Sequence, residues 1–267
     1  MGDAHFYNDI IFVVLAFAGG ACAGSFINAA AMRTVAEKKW WGRERSVCDS
    51  CGYVLSAADL VPIFSFLFLK GKCHYCGKPI KLRHFAVELI SGALTAALLW
   101  RWGVSGAMLV SALVMWFSLF NALTDLENGY IYDSAALSLG AVGLLLRVFA
   151  GWGVLLDGIL GAALGFGFIT LIILVSRGGM GWGDALLMAG IGGAVGWKYC
   201  AFGLYMGFLV GGIVVVPLLL KRKLKRKDAV PLGPFLAAGC VFTLFIGNML
   251  VARFGEFIGY NPGWPWW

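Results

Sequence analysis

Long apolar runs follow one another along this chain, separated by short polar segments. A backbone that crosses the hydrocarbon layer of a bilayer must satisfy its own N–H and C=O groups, and a helix of about 20 residues does so. Eight runs are read as spans: 9–31, 85–101, 105–124, 134–150, 154–175, 184–197, 200–220 and 231–252. The sixth is short and rich in glycine, so it is expected to tilt, thin the bilayer or embed only partly. The composition agrees, with 60% hydrophobic and only 13% charged residues, where a soluble domain carries about 25% charged. Such a chain cannot clothe itself in polar surface. A disordered chain, a secreted cysteine scaffold and an ordinary cytosolic enzyme are excluded. The fold class expected is all-α, a polytopic membrane protein with about eight transmembrane helices. Two small-residue patterns, Gly161-Ala162-Ala163-Leu164-Gly165 and Gly203–Gly207, suit close helix packing.

The net charge of +7 orients the chain and does not point to nucleic acid. Ten Lys and Arg lie in 32–84 and six in 221–227, and with Arg177 they make seventeen of the 21. Eight spans put these three segments on one side. Arg101, Arg147, Lys198 and Arg253 fall near the other. By the positive-inside rule 32–84, 176–183 and 221–230 are cytoplasmic, and 125–133 lies with them. The first run follows Asp3 and Asp9 with no basic segment before it, and it reads as a span and not as a cleaved signal.

The segment 32–84 holds Cys48-Asp49-Ser50-Cys51 and Cys73-His74-Tyr75-Cys76. Two CxxC pairs at this spacing predict a zinc site with four thiolate ligands, Cys48, Cys51, Cys73 and Cys76. Gly52 and Gly77 follow the pairs, where a tight knuckle turn calls for glycine. A cytoplasmic loop keeps thiols reduced, which argues against disulfides. His74 reads as a surface residue. Cys22, Cys200 and Cys240 lie in apolar spans and read as small buried hydrophobes. Asp59 to Leu69 is too short to span and is expected to lie at the membrane interface.

Acidic residues beside spans are functional candidates. Asp125 ends the third span and Asp184 follows Gly178-Gly179-Met180-Gly181-Trp182-Gly183. Two carboxylates brought together would share a proton, so that one could accept a proton from water while the other donates. The plainer reading keeps Asp184 as a helix cap and Asp125 facing the cytoplasm, and Asp133 could cap the fourth span. Spacing alone leaves these open.

Several elements in order carry a resemblance. They are Gly20-Ala21-Cys22-Ala23-Gly24-Ser25-Phe26-Ile27-Asn28 with Arg33, the paired cysteines, Asp59-Leu60-Val61-Pro62, and Glu88-Leu89-Ile90-Ser91-Gly92. Thr124-Asp125, Tyr130-Ile131-Tyr132-Asp133, Gly181-Trp182-Gly183-Asp184 and Pro231-Leu232-Gly233-Pro234-Phe235-Leu236 follow. Together they resemble the type IV prepilin peptidase family, membrane aspartic proteases of the GxGD class, almost end to end. Departures are local: Tyr132, Asp49 and Leu232 replace residues usual in the family, and Leu186 stands where lysine is common.

The resemblance implies that Asp125 and Asp184 are the catalytic pair of an endopeptidase. Its substrates would be prepilin or pseudopilin leaders, cut at the cytoplasmic face of a bacterial inner membrane. It also implies N-methylation of the new amino terminus from S-adenosylmethionine, with Zn2+ in a structural role and Glu88 as a possible contributor. No dinucleotide-type GxGxxG motif supports the methyltransferase part. The chain then divides into a first span (1–31), a cytoplasmic four-cysteine loop (32–84) and a transmembrane peptidase core (85–267). The prepilin and the lipid bilayer are the expected partners. A transporter or channel with a proton relay is the competing reading, and it leaves the four cysteines without a role.

Overall fold

The computed structural model describes residues 3–39, 45–221 and 230–257, with side chains for 10–39, 45–221 and 230–247. Arg43, the basic run after Lys221 and the side chain of Arg253 lie outside the described residues. Among the described residues nine α-helices run in order: α1 Asp3–Val35, α2 Phe64–Phe68, α3 Leu82–Trp102, α4 Gly106–Asn128, α5 Asp133–Ala150, α6 Trp152–Val175, α7 Trp182–Val195, α8 Trp197–Leu220 and α9 Gly233–Phe257. No strand occurs among the described residues; two isolated bridges are the only extended pairing there. Among the described residues six helices are long and apolar enough to cross a membrane, and α7 and the described part of α9 are shorter apolar helices. Each expected span corresponds to one helix. The chain is an all-helical polytopic membrane protein. Among the helices with described faces, large apolar side chains such as Leu15, Phe149, Leu174 and Ile213 are exposed, as lipid-facing residues are in the absence of a bilayer.

The chain forms two compact units, Met1–Val104 and Ser105–Trp267. In the first, α1 and α3 pack through small residues. Gly24 lies against Ser91, where a Cβ would stand 2.6 Å from its Cβ, and Ser91 Oγ donates to the Gly20 carbonyl at 2.7 Å. A dry helix pair has little hydrophobic drive to associate in lipid, so close backbone approach and hydrogen bonds hold it. The segment 59–69 forms a 3₁₀ turn at Ala58–Leu60 and then α2. Its Val61, Phe64, Leu67 and Phe68 are exposed.

In the second unit α7 is the buried helix. Ten of its fourteen residues are buried, against α5, α6 and α8. Gly161 and Gly165 of α6 meet the backbone of Gly192 and Met188, and Gly203 and Gly207 of α8 meet Cys240 and Leu236 of α9. Both small-residue patterns are therefore helix contacts. Arg147, fully buried, closes one end of this bundle. It donates to Asp157 Oδ2 at 2.9 Å, to the Val154 carbonyl at 2.8 Å, and to the Ala194 carbonyl from Nε and Nη2 at 3.2 and 3.1 Å. One guanidinium thus ties α5, the start of α6 and the end of α7. The sequence reading used Arg147 only as an orienting charge. An Asp ten residues on, across the Gly151 turn, was the available signal, because an arginine within apolar helices needs a partner.

Candidate active site and metal centre

The two CxxC segments are copies of one local structure, offset by 25 residues. Cys48 N–H donates to the Tyr53 carbonyl at 2.9 Å and Cys73 N–H to the Lys78 carbonyl at 2.8 Å. Gly52 and Gly77 N–H donate back to the Cys48 and Cys73 carbonyls, both at 2.9 Å. Leu55 to Ser46 and Ile80 to Gly71 close each hairpin at 2.8 Å. Gly52 at φ 70° and Gly77 at φ 67° hold the left-handed corner of each knuckle, as their positions in the sequence suggest. All four cysteines are unbridged. Their sulfurs lie within 4.8 Å of one another. A tetrahedral zinc with bonds of about 2.3 Å needs sulfurs roughly 3.8 Å apart. Small rotations of the cysteine side chains close a gap of about 1 Å, so the donor set fits the metal. The backbone N–H groups of Ser50 and Cys51 bring the Cys48 thiol down to about 7.

Asp59 staples the two knuckles. Its Oδ2 accepts the Ser56 N–H at 2.9 Å, the Ser56 hydroxyl at 2.6 Å and the Tyr75 hydroxyl at 3.1 Å. Tyr53 and Tyr75 stack at 3.8 Å between ring centroids. His74 is an exposed residue 3.4 Å from Asp59 Oδ1 and is not among the clustered ligands.

In the second unit Asp125 and Asp184 are both buried, at 6% and 7% exposure. Asp125 lies in the last turn of α4. Its Oδ2 accepts the N–H of Gly233 at 2.9 Å, the first residue of α9. The opening N–H groups of a helix lack partners within it and carry the positive end of its dipole. Asp184 is the third residue of α7. The helix cap is Gly181, with no side-chain hydrogen bond, so Asp184 is not the cap that the plainer reading allowed. Its Oδ1 is buried without a partner among the described residues. The α5 cap is Tyr132 without a side-chain hydrogen bond, so Asp133 does not cap that helix either.

Ile131 joins the two carboxylate segments. A Cβ on Gly183 would stand 2.8 Å from Ile131 Cβ, and one on Gly233 would stand 3.2 Å from Ile131 Cδ1 and 2.8 Å from Asp125 Oδ2. The structure therefore brings together the C-terminal turn of α4, the N-terminal turns of α7 and α9, and Ile131 between them. The glycines before Asp184 have separate roles. Gly178, at φ 87°, makes the turn, and Gly183 is filled from behind by Ile131. Gly183 is thus a packing residue. In the sequence Gly233 and Ile131 are motif members without an evident role. Nothing in their residue types reveals that one donates to Asp125 and the other wedges the site.

In the first unit Glu88 joins α1, α3 and the segment before α2. Its Oε1 accepts the Ser25 hydroxyl at 2.7 Å and its Oε2 the Ile63 N–H at 2.8 Å. Asn28 Nδ2 and His84 Nδ1 lie 2.8 Å apart one turn away. Glu88 thus ties α1 and the segment before α2 to α3.

Comparison with known proteins follows this division. Residues 19–102 match the model of the bacterial peptidase A24 N-terminal domain, and residues 112–216 that of the type IV leader peptidase family. A prepilin leader peptidase/N-methyltransferase of Burkholderia pseudomallei is 34% identical over 76% of this chain and 68% of its own length. Proteins of the same name from Bacillus subtilis and Pseudomonas putida are 32% and 28% identical. They cover 78% and 93% of this chain and 84% and 96% of their own lengths. No solved structure matches. These matches give the transporter reading no support. The eight apolar helices, the four-cysteine cluster, the buried carboxylates and the matches along both units place the chain in the type IV leader peptidase family.

Proposed function

We propose that the chain is a membrane-embedded aspartic endopeptidase that removes the leader of type IV prepilins or pseudopilins, with Asp125 and Asp184 as the catalytic pair. The observation that carries the reading is the burial of two carboxylates at the ends of α4 and α7, in segments that Ile131 joins. The ionised carboxylate takes a proton from water, and the water oxygen attacks the scissile carbonyl carbon. The protonated partner gives its proton to the carbonyl oxygen. Collapse of the tetrahedral species breaks the C–N bond, and a proton passes to the leaving amine. The Gly233 N–H fixes the position of one Asp125 oxygen, and the two carboxylates divide the roles of base and acid between them.

The charge distribution supports an inner-membrane protein with the carboxylates at the cytoplasmic face. There a basic leader meets the apolar pilin helix. The four thiolates would hold one zinc ion as a structural clamp for a lobe too small to have much core of its own. The names of the relatives support a second step, methylation of the new amine. When bound, S-adenosylmethionine would supply an electrophilic methyl group.

The test is cleavage of a prepilin by the purified protein in liposomes. Asp125→Asn and Asp184→Asn each abolish cleavage with folding and insertion retained, and the double variant is no worse than either single one. Substantial cleavage by a folded Asp184→Asn protein overturns the mechanism.

A further inference from the structure

In the first unit α2 turns its larger apolar face outward. Phe64, Leu67 and Phe68 stand at positions i, i+3 and i+4 of this short helix and so share one side of it. All three are exposed, Phe68 at 82%. Val61 before the helix and Leu82 at the start of α3 are exposed as well. The other side faces inward. Phe66 stacks on Phe85 with 4.9 Å between ring centroids, and Gly71 lies against the Phe66 ring, where a Cβ would stand 3.0 Å from Cζ. The helix thus buries one aromatic and leaves three large apolar side chains outside. A patch of this kind marks a contact surface.

The face is fixed beside the point where the chain enters the membrane. Phe85 lies in the first turn of α3, a helix long and apolar enough to span. Glu88, one turn further along α3, accepts the Ile63 N–H at 2.8 Å through Oε2. Ile63 takes φ 66° and ψ −53° at the start of α2, a conformation that a β-branched residue rarely adopts. Such strain persists where surrounding contacts enforce it. The strained corner keeps Ile63 buried while Phe64, the next residue, stays outside. After α2 the chain turns through Lys70 at φ 51° and Gly71 at φ 69°, and Lys70 and Lys72 are exposed. A short apolar face followed by lysines, tied to the first turns of a spanning helix, suits the membrane interface. Its apolar side chains can enter the acyl layer while the ammonium groups stay among the headgroups.

We propose that the outward face of α2 docks on the anionic cytoplasmic leaflet and holds the cysteine lobe against the bilayer. Phe64, Leu67 and Phe68 enter the acyl layer, and Lys70 and Lys72 meet lipid phosphates. The competing occupant is the apolar segment of a prepilin. It brings a basic leader, which Lys70 and Lys72 would repel, so charge favours anionic lipid. The proposal rests on the cytoplasmic placement of 32–84 argued above and not on the peptidase reaction.

The experiment uses the full chain in nanodiscs of phosphatidylcholine, with or without phosphatidylglycerol, and with p-benzoylphenylalanine replacing Phe68. Both leaflets of a nanodisc have the same composition, so the result does not depend on which side is cytoplasmic in the cell. After illumination, mass spectrometry of the α2 peptide is expected to show lipid adducts, about threefold or more abundant in the anionic discs. Lys70→Gln with Lys72→Gln removes that difference, and Phe64→Ser with Leu67→Ser lowers the yield in both discs. Added prepilin leaves the lipid adducts unchanged. The unsubstituted protein gives a second readout, since amides 64–70 should exchange with deuterium about threefold more slowly in the anionic discs. Absence of lipid adducts in a folded protein, or a yield indifferent to anionic lipid, overturns the proposal. Replacement of lipid by prepilin in the adducts overturns it as well and gives the face to the substrate. If the photoreactive protein fails to fold, equal exchange in the two discs overturns it.

Discussion

Asp125 uses its main chain and its side chain for different purposes. Its carbonyl accepts the N–H of Gly129 at 2.9 Å, which ends α4 in a left-handed cap at φ 69°. Its carboxylate reaches instead to Gly233, 108 residues on. The position of one oxygen thus depends on a glycine that cannot be enlarged. Gly233→Ala would put a methyl group 2.8 Å from Asp125 Oδ2 and displace the carboxylate. A displacement near 1 Å at a catalytic group costs on the order of 10²-fold. We expect cleavage to fall by about that factor, read as kcat/KM on a reconstituted prepilin, with melting little changed. The residue types Asp and Gly are visible in the sequence. Their meeting is not, because helical periodicity orders neighbours within a helix and says nothing about contacts across a hundred residues.

At the scale of the element, the knuckle hairpins and α7 are held by different means. The cysteine lobe has little buried apolar surface, and its order depends on turns, Asp59 and the metal its ligands suit. Asp59 is held below the usual carboxylate range by the Ser56 hydroxyl and N–H. A depressed folded value means that its stabilisation is complete above the unfolded value near 3.9 and is lost as pH falls through the lower folded value. Asp59 therefore keeps its charge and its hydrogen bonds to Ser56 between pH 7 and 5. We expect one zinc per chain by elemental analysis, and a several-fold faster transfer of zinc to a chromophoric chelator from Asp59→Asn at pH 7.

Helix α7 is fixed by packing on three sides and by Arg147 at its end. Removing one partner of a buried ion pair costs about 3–5 kcal/mol, because the other charge is left unpaired. Arg147→Met is expected to lower the melting temperature in detergent. It should lower cleavage as well, since α7 also carries Asp184. Arg147→Lys should not rescue either, because an ammonium cannot reproduce the fork that meets Asp157, Val154 and Ala194.

For the whole molecule, the distribution of Lys and Arg sets the orientation. A reagent that cannot cross the membrane should label Lys198→Cys in intact spheroplasts, and Arg177→Cys only after permeabilisation. Labelling of both from outside would reverse the assigned sides. The hydrophobic runs determined the all-helical class and the eight helices, because a backbone in lipid has few ways to satisfy itself. The CxxC spacing determined the thiolate cluster, because its ligands are close in sequence and the turns that present them are local. Glycine patterns in α6 and α8 correctly marked contact faces, though not the partner helices.

What only the tertiary structure decided is long-range. Ile131 fills the space behind Gly183, Gly233 donates to Asp125, and Glu88 braces Ser25 and Ile63. Arg147 serves as a clamp and not as an orienting charge alone. Each of these depends on which helix faces which. In these two units that choice is made by close backbone approach and by single polar contacts, and not by the period of the apolar residues, which is nearly uniform around helices surrounded by lipid.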